Sequence, residues 1–183
     1  MIVAGLDTET TSKLDPAHRI IETFMQKWEV DPVTFDARLI GSKLWRTHPD
    51  RSIEPAAFKV HGISLDDLAG QPKMEVHAPE INAYMKGVDL FVAHNGNEFD
   101  RPYIRMEFER CGVDLANIDG SKWFDTMLAG RWANTWGKVP SLRELCYACD
   151  VEYDPAKAHA ADYDVTVMMK SFIFGLRHNF FVL

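Results

Sequence analysis

The order of apolar patterns predicts an α/β protein built on a mixed β-sheet. Residues 1–45 read as strand after strand, with turn residues rather than helical spacing between them. From there on, one compact apolar strand is set among segments of helical spacing. Strands that meander form an antiparallel edge, whereas strands joined through helices form the parallel part of a sheet.

Each element follows from its residues. Met1 to Leu6 is a short apolar run and predicts a buried first strand. Arg19 to Val30, with Ile20, Ile21, Phe24, Met25 and Trp28, predicts a second strand turned by Asp31-Pro32. Ala37 to Trp45 predicts a third. Ser64, ahead of Leu65-Asp66-Asp67-Leu68, is a capping residue and predicts a helix start. Glu75 to Met85 predicts a helix, Val88 to Ala93 a strand, and Phe99 to Cys111 a helix stopped by Gly112. Trp123 to Trp132 predicts a short strand running into a helix, and Ser141 caps another. Asp162 to Arg177 predicts a long last helix, apolar at Val165, Val167, Met168, Phe172, Ile173 and Leu176.

The 183 residues suit one domain, 1–183, able to bury a core without disulfides or a structural metal. No apolar run approaches the roughly 20 residues of a membrane helix, and no basic-then-apolar leader opens the chain, so an intracellular, cytoplasmic protein with no membrane contact is expected. Three cysteines argue against a disulfide framework. Cys146 and Cys149 have C-x-x-C spacing but no second ligand pair for zinc, so both are expected in the core. A net charge of −7 is unlike a protein that holds nucleic acid by phosphate neutralisation alone. Bound cations would reverse the local field, so a nucleic-acid enzyme is not excluded.

Five residues point to chemistry. Asp7 and Glu9 alternate by two at the end of the first strand, which puts both carboxylates on one face. Asp100 opens a helix, where an acid also simply suits the helix dipole. His159 and Asp164 are five apart, which places His159 on the loop entering the last helix and Asp164 in its first turns. A histidine there suits a general base, though an exposed loop histidine is the ordinary reading. Phosphodiester hydrolysis needs an activated water and a stabilised leaving 3′-oxygen, which two divalent cations roughly 3.5–4 Å apart supply from clustered carboxylates. Two arginines on one helical face, Arg101 and Arg105, are candidate phosphate contacts, and Trp132 and Trp136 are stacking candidates or core residues. The apolar end Phe180-Phe181-Val182-Leu183 either packs on the core or docks a partner.

In order, these segments resemble the DEDDh (DnaQ-like) 3′–5′ exonuclease family. Asp7-Thr8-Glu9-Thr10 matches its first motif, His94-Asn95 with Phe99-Asp100 its second, and His159 with Asp164 its third. Arg19-Ile20-Ile21-Glu22, Val60-His61-Gly62-Ile63-Ser64 and Phe124-Asp125-Thr126 resemble its secondary signatures. The resemblance implies an RNase H-like fold with a mixed five-stranded sheet flanked by helices. It implies Asp7, Glu9, Asp100 and Asp164 as ligands of two Mg²⁺ or Mn²⁺ ions, and His159 as the base. Mononucleotides would leave single-stranded 3′ ends, DNA in preference to RNA, and a polymerase is a candidate partner. Thr8, Thr10 and His61 are candidates to line the terminal-nucleotide pocket, with His61 equally readable as a structural residue between strand and helix. One departure stands out: three residues, Gly96-Asn97-Glu98, separate His-Asn from Phe-Asp where the family has two. Gly96 would absorb the extra residue as a bulge, leaving Asp100 rather than Glu98 as the ligand. An inactive binding module of the same fold would lack one or more of the five residues, and all five are present.

Overall fold

The computed structural model describes residues 1–183. Its centre is a five-stranded sheet in the order β3-β2-β1-β4-β5, with β1 Ile2–Thr10, β2 Ile20–Val30, β3 Ala37–Arg46, β4 Leu90–Ala93 and β5 Trp123–Asp125. β1–β2 and β2–β3 pair antiparallel, and β1–β4 and β4–β5 pair parallel. The mixed sheet expected from the sequence is therefore the one formed. β1 runs four residues beyond Leu6, which puts Asp7 and Glu9 inside the strand and not after it.

Helices cover both faces of the sheet. Alternate residues of β1 divide between two apolar cores. Ala4 and Leu6 face α2 (Met74–Met85) and α3 (Asp100–Cys111) together with Phe91, Tyr103, Ile104 and Phe108. Val3 faces α6 (Ala161–Arg177), where Val165, Met169 and Phe172 are fully buried with Leu145 of α5 (Leu142–Ala148). Gly5 marks a close approach of β1 to α6: a Cβ there would sit 2.7 Å from Met169 Sδ and 3.1 Å from Val165 Cγ1. Gly112 stops α3 in the left-handed region, at φ 64°. Ser141 and Glu144 close a reciprocal capping box on α5.

Two expectations are corrected. Ser64 exchanges hydrogen bonds with Asp67, as a cap does, but residues 65–70 make turns and no helix. Gly70, at φ 78°, and Pro72 end the segment before a helical nucleus gains the length it needs. A helix that the apolar pattern missed, α1 (Pro55–His61), lies just before it. Pro55 starts α1 and Gly62, at φ 70°, ends it, and none of its residues is buried. His61 therefore ends a helix and does not join a strand to one. The remaining short helix, α4, spans Thr126–Ala129 and continues into a 3₁₀ turn, so Trp123 to Trp132 is a strand and a helical segment as expected.

Cys146 and Cys149 are buried and free, and burial pushes the Cys149 thiol up to about 12, which suits core residues. Phe181 is buried against Phe124 and Phe172, while Phe180, Val182 and Leu183 remain exposed. No helix is long and apolar enough to cross a membrane.

Candidate active site

β1 and β4 pair only as far as Gly5 and Val92. β4 then stops at Ala93 while β1 continues to Thr10, so the strands part and a crevice opens at the carboxyl ends of the parallel strands. Ligands of open α/β sheets bind at such a place. Asp7 and Glu9 follow Val3 and Gly5 onto the α6 face, where Asp164 stands in the first turn of α6. Asp100 arrives from the opposite face as the first residue of α3, and Thr8 donates its hydroxyl to Asp100 Oδ1 at 2.7 Å. Just beyond, β1 and β2 lose register between Glu9 and Thr10, a bulge that bends the strand end at the crevice.

The carboxylates sense one another strongly. Burial, then the charges of Asp100, Glu9, Asp164 and Glu22, hold the Asp7 carboxyl well above the usual range. Asp7 keeps some solvent contact although protein atoms ring it. Burial and then the charges of Glu22, Asp164 and Asp100 push Glu9 up to about 8. Asp100, 2% exposed, is pushed by burial to about 7 against the opposing hydrogen bonds from Thr8. Burial also raises Asp164, opposed by the backbone N–H of His159, which donates to Asp164 Oδ2 at 3.0 Å. Like charges held together out of water need a cation or protons.

The donor set fits a hard divalent cation, which takes carboxylate oxygens and water. Asp164 Oδ1 is buried without a hydrogen-bond partner, a free lone-pair site beside Asp7. The side chains do not yet clasp a point: no three His, Cys, Asp or Glu groups stand at metal-holding separation.

Two cavities flank the extension of β1. One, of about 590 Å³, is lined by Asp7, Asp164, His159, Arg143 and Tyr153, among others. The other, about 230 Å³ and mainly apolar, is lined by Glu9, Thr10, Ala57, Val60, His61 and Phe99. A polar cavity of about 320 Å³ lined by Arg19, Glu107 and Arg110 contains none of the five residues. Thr10 and His61 thus reach a pocket beside Glu9. Thr8 lines neither cavity, because its side chain is buried on the α3 side and spent on Asp100. His159 is exposed on the loop before α6, with its backbone in the left-handed region at φ 65°.

The extra residue before Asp100 lies in a turn and not in a strand bulge, since β4 has already ended. Asn95 takes φ 69°, and a Cβ on Gly96 would collide with Ala93 while lying 3.7 Å from Asp100 Oδ2. Glu98 points to solvent and Asp100 is buried. Asp125 ties this turn down. Its Oδ1 accepts from the backbone of Asn95 (3.1 Å), Met127 (2.9 Å) and Leu128 (3.2 Å), and its Oδ2 from Asn97 (3.1 Å). Capping alone accounts for only the Met127 and Leu128 contacts. His94 braces the same turn, facing Thr126 Oγ1 at 3.0 Å and the Pro140 carbonyl at 3.1 Å.

Arg105 pairs with Glu109 at 2.9 Å, and Arg101 packs over Gly120, so neither faces the crevice cavities. Trp132 stacks on Phe180 at 4.5 Å, and Trp136 is 86% exposed. The site role of Glu22 went unread in the sequence. It pairs directly with Glu9 across β1–β2, is buried, and holds Arg46 at 2.7 Å. An acid inside the apolar run Ile20 to Met25 was the available signal.

Comparison with known proteins shows the family and the fold. The RNase_T exonuclease family model matches residues 4–172. Subunit epsilon of DNA polymerase III from Escherichia coli (strain K12) is 30% identical over 175 residues, covering 92% of this chain and 68% of that protein. The PolC-type DNA polymerase III of Mycoplasma genitalium is 25% identical over 151 residues, covering 79% of this chain and 10% of that protein. Among solved structures, E. coli exonuclease I in complex with a dT13 oligonucleotide matches with a TM-score of 0.76 and 20% identity, over 97% of this chain and 42% of that one. That likeness speaks to the fold, which is the RNase H-like arrangement of a mixed five-stranded sheet flanked by helices.

Proposed function

Because the chain belongs to the RNase_T exonuclease family, of DEDD-type 3′–5′ exonucleases, we propose that it releases nucleoside monophosphates one at a time from the 3′ end of single-stranded DNA. One observation carries this reading: Asp7, Glu9, Asp100 and Asp164, drawn from three distant segments, lie near enough to the crevice where β1 and β4 part that Asp7 and Glu9 feel the charges of the other two, with His159 on the loop beside Asp164. Relatives named as DNA polymerase III subunits, and the oligonucleotide complex of exonuclease I, support DNA over RNA and favour a polymerase as partner.

Asp7, Glu9, Asp100 and Asp164 would hold two Mg²⁺ or Mn²⁺ ions, which when bound supply charge neutralisation and an acidified water. Thr8 fixes the rotamer of Asp100, and Asp125 fixes the turn that delivers it. The terminal nucleoside enters the apolar cavity, between Phe99 and Val60 and against Thr10 and His61. His61 has an unpartnered Nε2 to offer there. His159 takes a proton from the attacking water. The water oxygen bonds to phosphorus, the P–O3′ bond breaks, and the leaving 3′-oxygen is protonated from solvent.

Hydrolysis of 5′-labelled single-stranded DNA should give a ladder shortening from the 3′ end in Mg²⁺ and stop in EDTA. Asp7→Asn should remove activity while the melting temperature stays at or above that of the parent, since one buried charge is gone. Full turnover by Asp7→Asn would overturn the site. Faster loss of a matched RNA than of the DNA would overturn the substrate assignment.

A further inference from the structure

The two cavities beside β1 differ in character. The one with Thr10 and His61 is small and apolar; the one with Asp7 and Asp164 is larger and opens between α5 and the loop before α6. If the terminal nucleoside fills the first, the strand leading to it lies in the second. A strand there brings phosphates past a wall whose acidic residues are Asp7 and Asp164. Arg143 is the one Lys or Arg lining that cavity.

Its surroundings leave it free for a ligand. The adjacent acid, Glu144, is engaged with Ser141 in the capping box and with Lys138 at 3.4 Å. No carboxylate lies within ion-pair distance of Arg143 itself, in contrast to Arg46, Arg105, Arg110 and Arg177. The helix that carries it is fixed, with Ser141 as its cap and Leu145 and Cys146 buried. Resting on the exonuclease reading above, we propose that Arg143 contacts a phosphate of the substrate strand on the α5 wall of the crevice and so sets its affinity for the strand. A planar guanidinium suits that phosphate, whereas Arg101 and Arg105 face elsewhere.

The test is Arg143→Ala with Arg143→Lys. Losing one charge-assisted contact should raise KM for single-stranded oligo-dT by about tenfold, falling on KM more than on kcat. Arg143→Lys should recover part of it. Anisotropy of labelled oligo-dT, read in EDTA across a salt series, should lose about 0.7 from the slope of log Kd against log salt in Arg143→Ala. An unchanged melting temperature separates this from a folding defect. Equal KM and equal salt slope in parent and Arg143→Ala would sink the assignment while the exonuclease reading stands. A parent that binds with the steeper slope yet cleaves nothing would keep Arg143 as a phosphate contact and refute the exonuclease. A parent that neither binds nor cleaves would refute both.

Discussion

His159 serves the site through two separable parts. Its backbone N–H donates to Asp164 Oδ2 at 3.0 Å and so helps to aim a ligand, while its imidazole stands exposed beside the crevice. A φ of 65° is unusual for a non-glycine residue, and asparagine tolerates it better than most. His159→Asn should therefore keep the loop, Asp164 and Mg²⁺ affinity by calorimetry close to the parent. The rate should still fall by about 10²–10⁴, the typical contribution of a general base. Retention of the rate within a few fold would move the base elsewhere. At this scale the sequence was readable where local periodicity decides the outcome. Alternation put Asp7 and Glu9 on one face, and five-residue spacing put His159 and Asp164 across a loop–helix junction. Alternation also turns the Thr8 side chain to the far side of the sheet, where it meets Asp100, which leaves only its backbone for a terminal nucleotide. Glu22 and Arg143 were not legible as site residues, since cross-strand register places one and the packing of α5 places the other.

Elements were legible where an apolar pattern or a cap marked them. The long strands and α3 and α6 were readable from pattern and caps, whereas the seven-residue α1, with no buried face, left only its Pro55 and Gly62 as signals. The active geometry depends on how two long elements meet. Gly5 lets α6 lie directly on β1; it sits two residues before Asp7, and its contacts Val165 and Met169 follow Asp164 by one and five residues. Gly5→Ala must push Met169 and Val165 outward. Overpacking of this kind costs about 1–3 kcal/mol, and a chain this long loses roughly 2–4 °C per kcal/mol. The expected loss of kcat/KM is larger than stability explains, because the same displacement separates Asp164 from Asp7. Gly5→Ala with a lower melting temperature but parental kcat/KM would show that the β1–α6 contact does not set the site.

Over the whole molecule, the crevice makes stability depend on pH and on cations together. Folding raises Glu9 from 4.5 to about 8 and Asp100 from 3.8 to about 7, and raises Asp7 and Asp164 in the same sense. A carboxyl raised on folding binds its proton more tightly in the folded state. Its contribution to stability is complete below the unfolded value and is lost as pH rises through the folded one. In EDTA the melting temperature should therefore fall between about pH 5 and pH 8, in a window set by Glu9 and Asp100. A net charge of −7 acts in the same direction through self-repulsion, so the contribution of the site needs its own control. Glu9→Gln removes the charge and keeps the shape: it should melt higher than the parent at pH 8 in EDTA and show a flatter pH dependence. Mg²⁺ should stabilise the parent more at pH 8 than at pH 5, because protons and cations compete for the same oxygens. Glu9→Gln should lose most of that Mg²⁺ increment. A melting temperature in EDTA that holds or rises across this window, with an equal Mg²⁺ increment at both ends, would mean that the four carboxylates do not share one field and that no cation site is built from them.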